Sequence, residues 1–280
     1  MMFSHFKNLC SALLIVATAP AVASAQSPDE WTVGSFNIRY DNPDDPLTWT
    51  ERAGEVTRAI AFFDVIGLQE VLPNQLEDLI SGLPWMSYYG ETRNGEGMGE
   101  ACPILWQKDK YDLIHAETRW FAKDWYEPSI GWDAHMPRIA TIVLLYEKSS
   151  GKTIRLINAH LSHVGEMSRK LSVQLLKLWA STKQSDAVVV MGDFNAEPES
   201  EVMTSMMDGE LVDTYGTNPS LRCRRKFGTY TTFDPAFVGS KRIDYIFAKG
   251  VEVIWTCADE YIKNGYYISD HLPVHAALKW

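Results

Sequence analysis

The sequence predicts an α/β sandwich of four layers, in which two packed mixed β-sheets are flanked by helices. Three observations carry that prediction. Apolar runs of strand length alternate with amphipathic helical stretches through both halves of the chain, and strands dominate where each half ends. Several of the apolar runs finish in polar residues. The buried run Ala187-Val188-Val189-Val190-Met191 leads straight into Gly192-Asp193-Phe194-Asn195. Asp193 and Asn195 are two residues apart, so an extended backbone points both side chains to one side. The carboxyl end of a buried strand is where open α/β sheets place ligands. Taken alone, Gly-Asp-Phe-Asn also fits a plain polar turn.

The chain has 280 residues and a net charge of −10. Residues 1–25 have the layout of a secretory signal: Lys7, then an apolar core over 11–19, then Ala23-Ser24-Ala25 as a small-x-small cleavage site. The mature chain is expected to begin at about Gln26 and to be soluble, secreted or periplasmic. The apolar core is too short to span a bilayer, and Cys10 precedes it, which does not suit a lipoprotein. Residues 1–25 carry one Lys and no Asp or Glu, so the remainder is one unit more acidic. That balance opposes tight binding to long duplex nucleic acid, which is driven by phosphate neutralisation. It leaves room for a small or lipid-like phosphorylated substrate in a local pocket. About 255 residues remain after the signal, enough for one large domain over 26–280. A monomer is expected. Cys102, Cys223 and Cys257 allow one disulfide after export, and their spacing fits no zinc site.

In order, 31–40 reads as a strand, with Val33, Ser35, Asn37 and Arg39 on one side and Phe36 and Ile38 on the other. Thr48-Trp49-Thr50-Glu51 fits a capping box, and Val56, Ile60 and Phe63 share the face of the helix that follows. A second buried strand spans 65–71 and carries Glu70. A second helix opens at 74–77 with Leu76, Leu79 and Ile80 inward. Residues 88–99 are glycine-rich and irregular. Strands follow at 102–106 and 138–146. Between them lies an aromatic stretch with Trp120, Phe121, Trp125, Tyr126 and Trp132, which either lines a cleft or caps the core. The strand at 154–160 ends at His160. A helix follows with Leu171, Leu175 and Leu178 on one face. After the strand that ends at Asp193 come a short helix near 200–207 and an irregular region over 210–240. Strands at 243–248, 251–256 and 272–278 close the chain.

Polar residues thus end six apolar strands: Asn37, Glu70, His160, Asp193 with Asn195, Asp244, and Asp270 with His271. Carboxylate and amide oxygens without thiolates suit a hard divalent cation, Mg²⁺ or Mn²⁺. Such an ion neutralises charge on a phosphate and its leaving group.

These stretches resemble the endonuclease/exonuclease/phosphatase superfamily of metal-dependent phosphoesterases. Its members include pancreatic deoxyribonuclease, apurinic-site endonucleases, inositol polyphosphate 5-phosphatases, neutral sphingomyelinases and deadenylases. Ser35-Phe36-Asn37-Ile38-Arg39, Gly67-Leu68-Gln69-Glu70-Val71 and Asn158-Ala159-His160-Leu161-Ser162-His163 stand in family order. Gly192-Asp193-Phe194-Asn195, Arg242-Ile243-Asp244-Tyr245-Ile246 and Ser269-Asp270-His271-Leu272-Pro273-Val274 follow them. Together they span nearly all of the chain after the signal.

The resemblance implies roles by motif. Glu70 is the main metal ligand, with Asn37 and Asp270 nearby. Asp193 orients or deprotonates the attacking water, and Asn195 positions that water or the phosphate. His271 stabilises the phosphate oxygens and is oriented by Asp244. His160 contacts the phosphate, and His163 matches a position near it, although His163 also suits a cap for the following helix. Arg138 is placed either to clamp phosphate or to form a structural ion pair. Glu100, after the glycine-rich loop, suits a supporting or substrate-contacting role. Arg222, Arg224, Arg225 and Lys226 form the one basic cluster, read as a solvated loop.

The sequence departs from the pattern at Ser162, where many relatives carry Asp. It departs again at Arg39, where the apurinic-site enzymes carry an acid. The expected activity is therefore hydrolysis of a phosphodiester or phosphomonoester by an exported enzyme. The alternatives are a scavenging nuclease on short single strands, which the aromatic stretch would stack, and a binding protein that kept the fold without the chemistry.

Overall fold

The computed structural model describes residues 29–182, 184–216, 228–237 and 241–280. The expected signal over 1–25, Gln26, Cys223 and the basic cluster Arg222, Arg224, Arg225 and Lys226 lie outside the described residues.

The chain runs β1 (Glu30–Asn37), α1 (Trp49–Ile60), β2 (Val65–Gln69), α2 (Pro73–Gly82), β3 (Met86–Tyr89), β4 (Ile104–Gln107) and β5 (Tyr111–Trp120). It continues with β6 (Ile139–Glu147), β7 (Thr153–His160), α3 (Glu166–Ser181), β8 (Ala187–Asp193), α4 (Glu201–Met207), β9 (Val212–Asp213) and β10 (Asp244–Lys249). The last elements are β11 (Glu252–Ala258), the small hairpin β12 (Ile262–Lys263) and β13 (Tyr266–Tyr267), and β14 (Val274–Lys279).

Two six-stranded sheets result, in the orders β11-β14-β1-β2-β4-β3 and β5-β6-β7-β8-β10-β9. Both are mixed. Each has a central parallel pair, β1 with β2 and β7 with β8, and antiparallel neighbours outside it. Alternation along the strands sends side chains to two cores at once. Val33, Val65, Leu156, Val189, Met191, Ile246 and Ala276 meet between the sheets. On the outer face of the first sheet, Phe36, Ile66 and Leu68 pack on Val56, Ile60 and Leu79 of α1 and α2. On the outer face of the second, Ile157, Val190 and Phe247 pack on Val173, Leu176, Trp179 and Met203 of α3 and α4. This is the four-layer α/β sandwich that the sequence predicts.

One carboxamide ties the sheets together. Asn158 of β7 donates from Nδ2 to the carbonyls of Leu68 (2.7 Å) and Pro103 (3.0 Å), and its Oδ1 accepts from Gln69 Nε2 at 2.6 Å. Gly67 makes the room, since a Cβ there would stand 2.6 Å from the Asn158 side chain. Gly192 is needed for a similar reason. Its φ is +145°, and a Cβ would stand 1.9 Å from the Ala159 carbonyl oxygen.

Several local expectations are corrected. β1 and β2 stop at Asn37 and Gln69 rather than at 40 and 71, because Arg39 and Glu70 take left-handed backbone at φ +60° and +61°. Phe63 is buried with Val56 and Ile60 but lies beyond the end of α1. The inner face of α3 is Ser168, Ser172, Val173, Leu176 and Trp179, whereas Leu178 is exposed and Leu171 and Leu175 are only partly covered. Two small serines let the helix sit close to the sheet, which an apolar count does not register. β5 falls in the stretch read as aromatic and irregular. It is an edge strand with a bulge between Leu113 and His115 and a largely uncovered middle, so it lacks an apolar period. Glu51 does close the capping box at α1, accepting from the Thr48 N–H at 2.9 Å.

Cys102 is buried with a free thiol, and Cys257 is disulfide-bonded. No helix among the described residues is long and apolar enough to cross a membrane.

Candidate active site

The sheet registers gather the strand ends. Asn37 lies opposite Gln69, the last residue before Glu70, and His160 lies opposite Asp193, both across parallel pairs. Asp193 also faces Asp244 across the antiparallel pair of β8 and β10. β14 runs antiparallel to β1, with Val274 opposite Ser35, so the segment 269–271 that leads into β14 arrives beside Asn37. Ser269 fixes that approach by donating to the Asn37 carbonyl at 2.7 Å. Asn37, Glu70, His160, Asp193, Asn195, Asp244, Asp270 and His271 therefore converge on one edge of the sandwich. They shape a cleft of about 990 Å³, lined by Glu70, Asp193, Asn195, Asp270, His271 and His160 on its floor.

On one side of the floor stands a carboxylate–imidazole–carboxylate arrangement. His271 Nδ1 lies 2.8 Å from Asp244 Oδ2, and its Nε2 lies 3.8 Å from Asp193 Oδ2. All three groups are buried. A carboxylate only accepts, so the Nδ1–H donates to Asp244. Burial alone would lower the His271 pKa, but Asp244 and then Asp193 raise it well above its ordinary value. Burial and then the charge of Asp244 push Asp193 up to about 7. The Asp193 carboxylate accepts from the Asn195 N–H at 2.9 Å through Oδ1 and from Asn37 Nδ2 at 3.1 Å through Oδ2. The 193–195 segment is thus a polar turn and part of the site at once, with Asn195 at φ +48°.

On the other side stand Glu70 and Asp270. Glu70 Oε1 accepts from Asn37 Nδ2 at 3.1 Å, and Oε2 from the Tyr40 N–H at 3.2 Å. Burial raises the Asp270 pKa, and the charge of Glu70 raises it further. Two carboxylates that repel each other in a cleft, with oxygen donors only, fit a hard divalent cation. Asn37 contributes differently from the expectation of a simple ligand. Its Nδ2 is shared between Glu70 and Asp193, and its Oδ1 accepts the Arg39 N–H at 3.0 Å. Asp193, Asp244 and His271 also form a group of cation-type donors, within 4.8 Å of one another. There the imidazolium proton already bridges Asp244, so a charge of the required sign is in place.

A cationic wall closes the cleft above Asp193. Arg138 is buried, donates from Nη2 to His163 Nδ1 at 2.7 Å, and makes no ion pair among the described residues. Its Nε is buried without a hydrogen-bond partner among the described residues. The placement suits a phosphate clamp, while the charges of Glu100 and Asp193 also act on the guanidinium. His163 does not cap α3, because Asp133 accepts the Met167 and Ser168 N–H groups there. His163 and Arg138 instead face the cleft. Burial and then Arg138 lower the His163 pKa, and the same causes hold His160 well below its ordinary value. His160 Nε2 lies 3.4 Å from Asp193 Oδ2.

Glu100 lines the cleft beside Arg93. It pairs with Arg93 through both oxygens, at 2.7 and 2.8 Å. Ser162 organises the loop after His160, accepting the Gly165 N–H through Oγ and Arg169 Nη1 through its carbonyl. Sequence reasoning missed Arg93, Arg169, Tyr230 and Lys241, which also line the cleft. Arg93, Tyr230 and Lys241 lie in connections that carry no hydrophobic period, and Arg169 sits in the first turn of α3. Part of the aromatic stretch caps the core: Phe121 stacks on Trp179 at 5.3 Å, and Trp125 meets the same ring edge-on, whereas Tyr126 and Trp132 are exposed. None of Trp120, Phe121, Trp125, Tyr126 and Trp132 lines the cleft.

The comparisons agree with this geometry. The endonuclease/exonuclease/phosphatase family profile matches residues 34–271. An endonuclease/exonuclease/phosphatase structure from Bacteroides vulgatus is 33% identical, covers 89% of this chain and 98% of its own, and superposes with a TM-score of 0.83. A mannosyl-6-phosphatase of Bacteroides thetaiotaomicron is 28% identical, with 89% and 100% covered and a TM-score of 0.80. An uncharacterized protein of Acanthamoeba polyphaga mimivirus is 29% identical over 235 residues, 75% of this chain and 84% of that one. The chain belongs to the endonuclease/exonuclease/phosphatase family, whose members are hydrolases of phosphoester bonds.

Proposed function

We propose that this chain is an exported hydrolase that cleaves a P–O bond in a small phosphorylated molecule with the help of Mg²⁺ or Mn²⁺. The observation that carries the reading is the placement of His271 between Asp244 and Asp193, across the same cleft from the Glu70 and Asp270 carboxylates. In this reading Asp193, with a pKa near neutrality, takes the proton of the attacking water. Asn195 positions that water. His271, protonated and oriented by Asp244, donates to a phosphate oxygen as negative charge accumulates. Arg138, His163 and His160 hold the remaining phosphate oxygens from the opposite wall. Glu70, oriented by Asn37, and Asp270 would hold the cation, which neutralises charge on the phosphate and leaving group.

Polar and charged side chains dominate the cleft, with Met136, Ala196 and Ile243 among the few apolar ones. That lining suits a hydrophilic substrate such as a sugar phosphate, and the similarity to a mannosyl-6-phosphatase points the same way. A nuclease on short single strands is less well supported, because none of the five aromatic residues of that stretch lines the cleft. Export draws support from the signal-like residues 1–25 and from the disulfide at Cys257, which suits an oxidising compartment. We take the working unit to be a monomer.

The test is a panel of hexose 6-phosphate, inositol phosphate, aryl phosphomonoester, bis-aryl phosphodiester and oligonucleotide, each with Mg²⁺ or Mn²⁺ and each after chelation. Turnover of a small phosphoester that chelation abolishes is the expected result. No turnover on any substrate, with cation binding intact, would mean a binding protein on the same fold. Mass analysis of protein recovered from an exporting host should give a mature chain from about Gln26; a retained leader would refute export.

A further inference from the structure

Arg39 joins two carboxylates on the metal side of the cleft. Its guanidinium forks onto Asp45, Nε to Oδ2 at 2.9 Å and Nη2 to Oδ1 at 3.0 Å. Its Nη1 reaches to 3.7 Å from Asp270 Oδ2. The charges of Asp45, Asp270 and Glu70 all act on it and, against the cost of burial, raise its pKa. Both ends of the residue are fixed. The backbone takes φ +60°, its N–H donates to Asn37 Oδ1, and its carbonyl accepts from Arg52 Nη2 at 2.6 Å and Gln75 Nε2 at 2.9 Å. Asp45 is fixed as well, since its side chain is buried and Asn42 Nδ2 donates to it at 3.0 Å.

A solvated arginine needs none of these restraints. A guanidinium carries one positive charge, donates from every nitrogen and stays protonated. Held between Asp45 and Asp270, it does what a bridging cation does for two carboxylates.

We propose that Arg39 stands in for a second metal ion, so that the centre takes one divalent cation per chain, on the Glu70 side. The inference rests on the metal-dependent reading above. A second dication would have to bind beside a fixed like charge whose carboxylate partners are already committed. Removing the guanidinium frees Asp45 and Asp270 and opens space between them.

The experiment is Mn²⁺ titration of the mature chain, followed by calorimetry and by the paramagnetic resonance of free Mn²⁺, with no substrate present. Wild type and Arg39→Lys should bind one ion. Arg39→Ala should bind two, with Arg39→Gln as a second neutral variant where the alanine chain does not fold. Two ions in the wild type, or one ion in both folded neutral variants, would overturn the inference. A wild type that binds no Mn²⁺ would overturn the metal-dependent reading itself, and this inference with it.

Discussion

His271 Nδ1 donates to Asp244 Oδ2 at 2.8 Å, and this bond fixes both the direction of the ring and the proton it carries into the cleft. Among the described residues Asp244 Oδ1 is buried without a hydrogen-bond partner, so the imidazolium is the partner that balances this carboxylate.

The first prediction follows from the sign of that coupling. The His271 pKa is raised, so the protonated form persists below the folded pKa and is lost as pH rises through it. Activity should therefore rise through neutral pH as Asp193 loses its proton and fall on the alkaline side as His271 loses its own. Asp244→Asn removes the nearer carboxylate charge and should move that fall to lower pH. The check is kcat/KM against pH, where His271→Gln should lack this alkaline limb. An identical limb in His271→Gln would assign it to another group.

The second concerns Asp193 and His271 as one unit. Loss of a positioned proton-transfer group costs about 10²–10⁴-fold in rate, and loss of an oxyanion donor costs about 10²–10³-fold. Asp193→Asn and His271→Gln should each lower kcat on that scale in folded protein. Because both act in one transition state, the double mutant should fall well short of the product of the two losses. Near-normal kcat in either single mutant would make that residue structural.

The third concerns Glu70. Glu70→Gln keeps the shape and one acceptor oxygen, for Asn37 or for Tyr40, but removes the charge. Affinity for Mg²⁺ should drop sharply, and excess Mg²⁺ should restore part of the activity. Wild-type turnover that survives exhaustive chelation would refute the role of Glu70 as the anchor of the cation.

The fourth concerns Asn158, remote from the chemistry but under it. Asn158→Ala removes three buried hydrogen bonds, although the Pro103 carbonyl keeps the Leu68 N–H and the Gln69 amide keeps Ser35 Oγ and the Gly67 carbonyl. A hydrogen bond contributes about 0.5–1.5 kcal/mol net, so a loss of roughly 3 kcal/mol is expected for the three. Urea denaturation measures it. A change within 0.5 kcal/mol, roughly the range of an ordinary surface substitution, would mean that the sheets do not depend on this bridge.

Much of the site was legible in the chain because strand endings are local. The apolar run before Gly192 ends at Asp193, and an extended backbone fixes which neighbours share a side. The same logic marks Glu70, His160 and Asp270. β5 was not legible, because an exposed edge strand shows no alternation of apolar and polar residues. The inner face of α3 was not legible either, because Ser168 and Ser172 are buried by the closeness of the helix rather than by their own polarity.

The sequence by itself determined the elements and the chemical inventory of the site, since both follow from periods of two to four residues and from residue type. Only the tertiary structure decided the partnerships. Asn37 bridges Glu70 to Asp193, which is 156 positions away. Arg138 takes His163 rather than a carboxylate, and Arg39 couples Asp45 to Asp270. Such pairings depend on sheet register and on left-handed backbone at Arg39, Glu70 and Asn195. Those are fixed by how two sheets pack across one core, which no local pattern encodes.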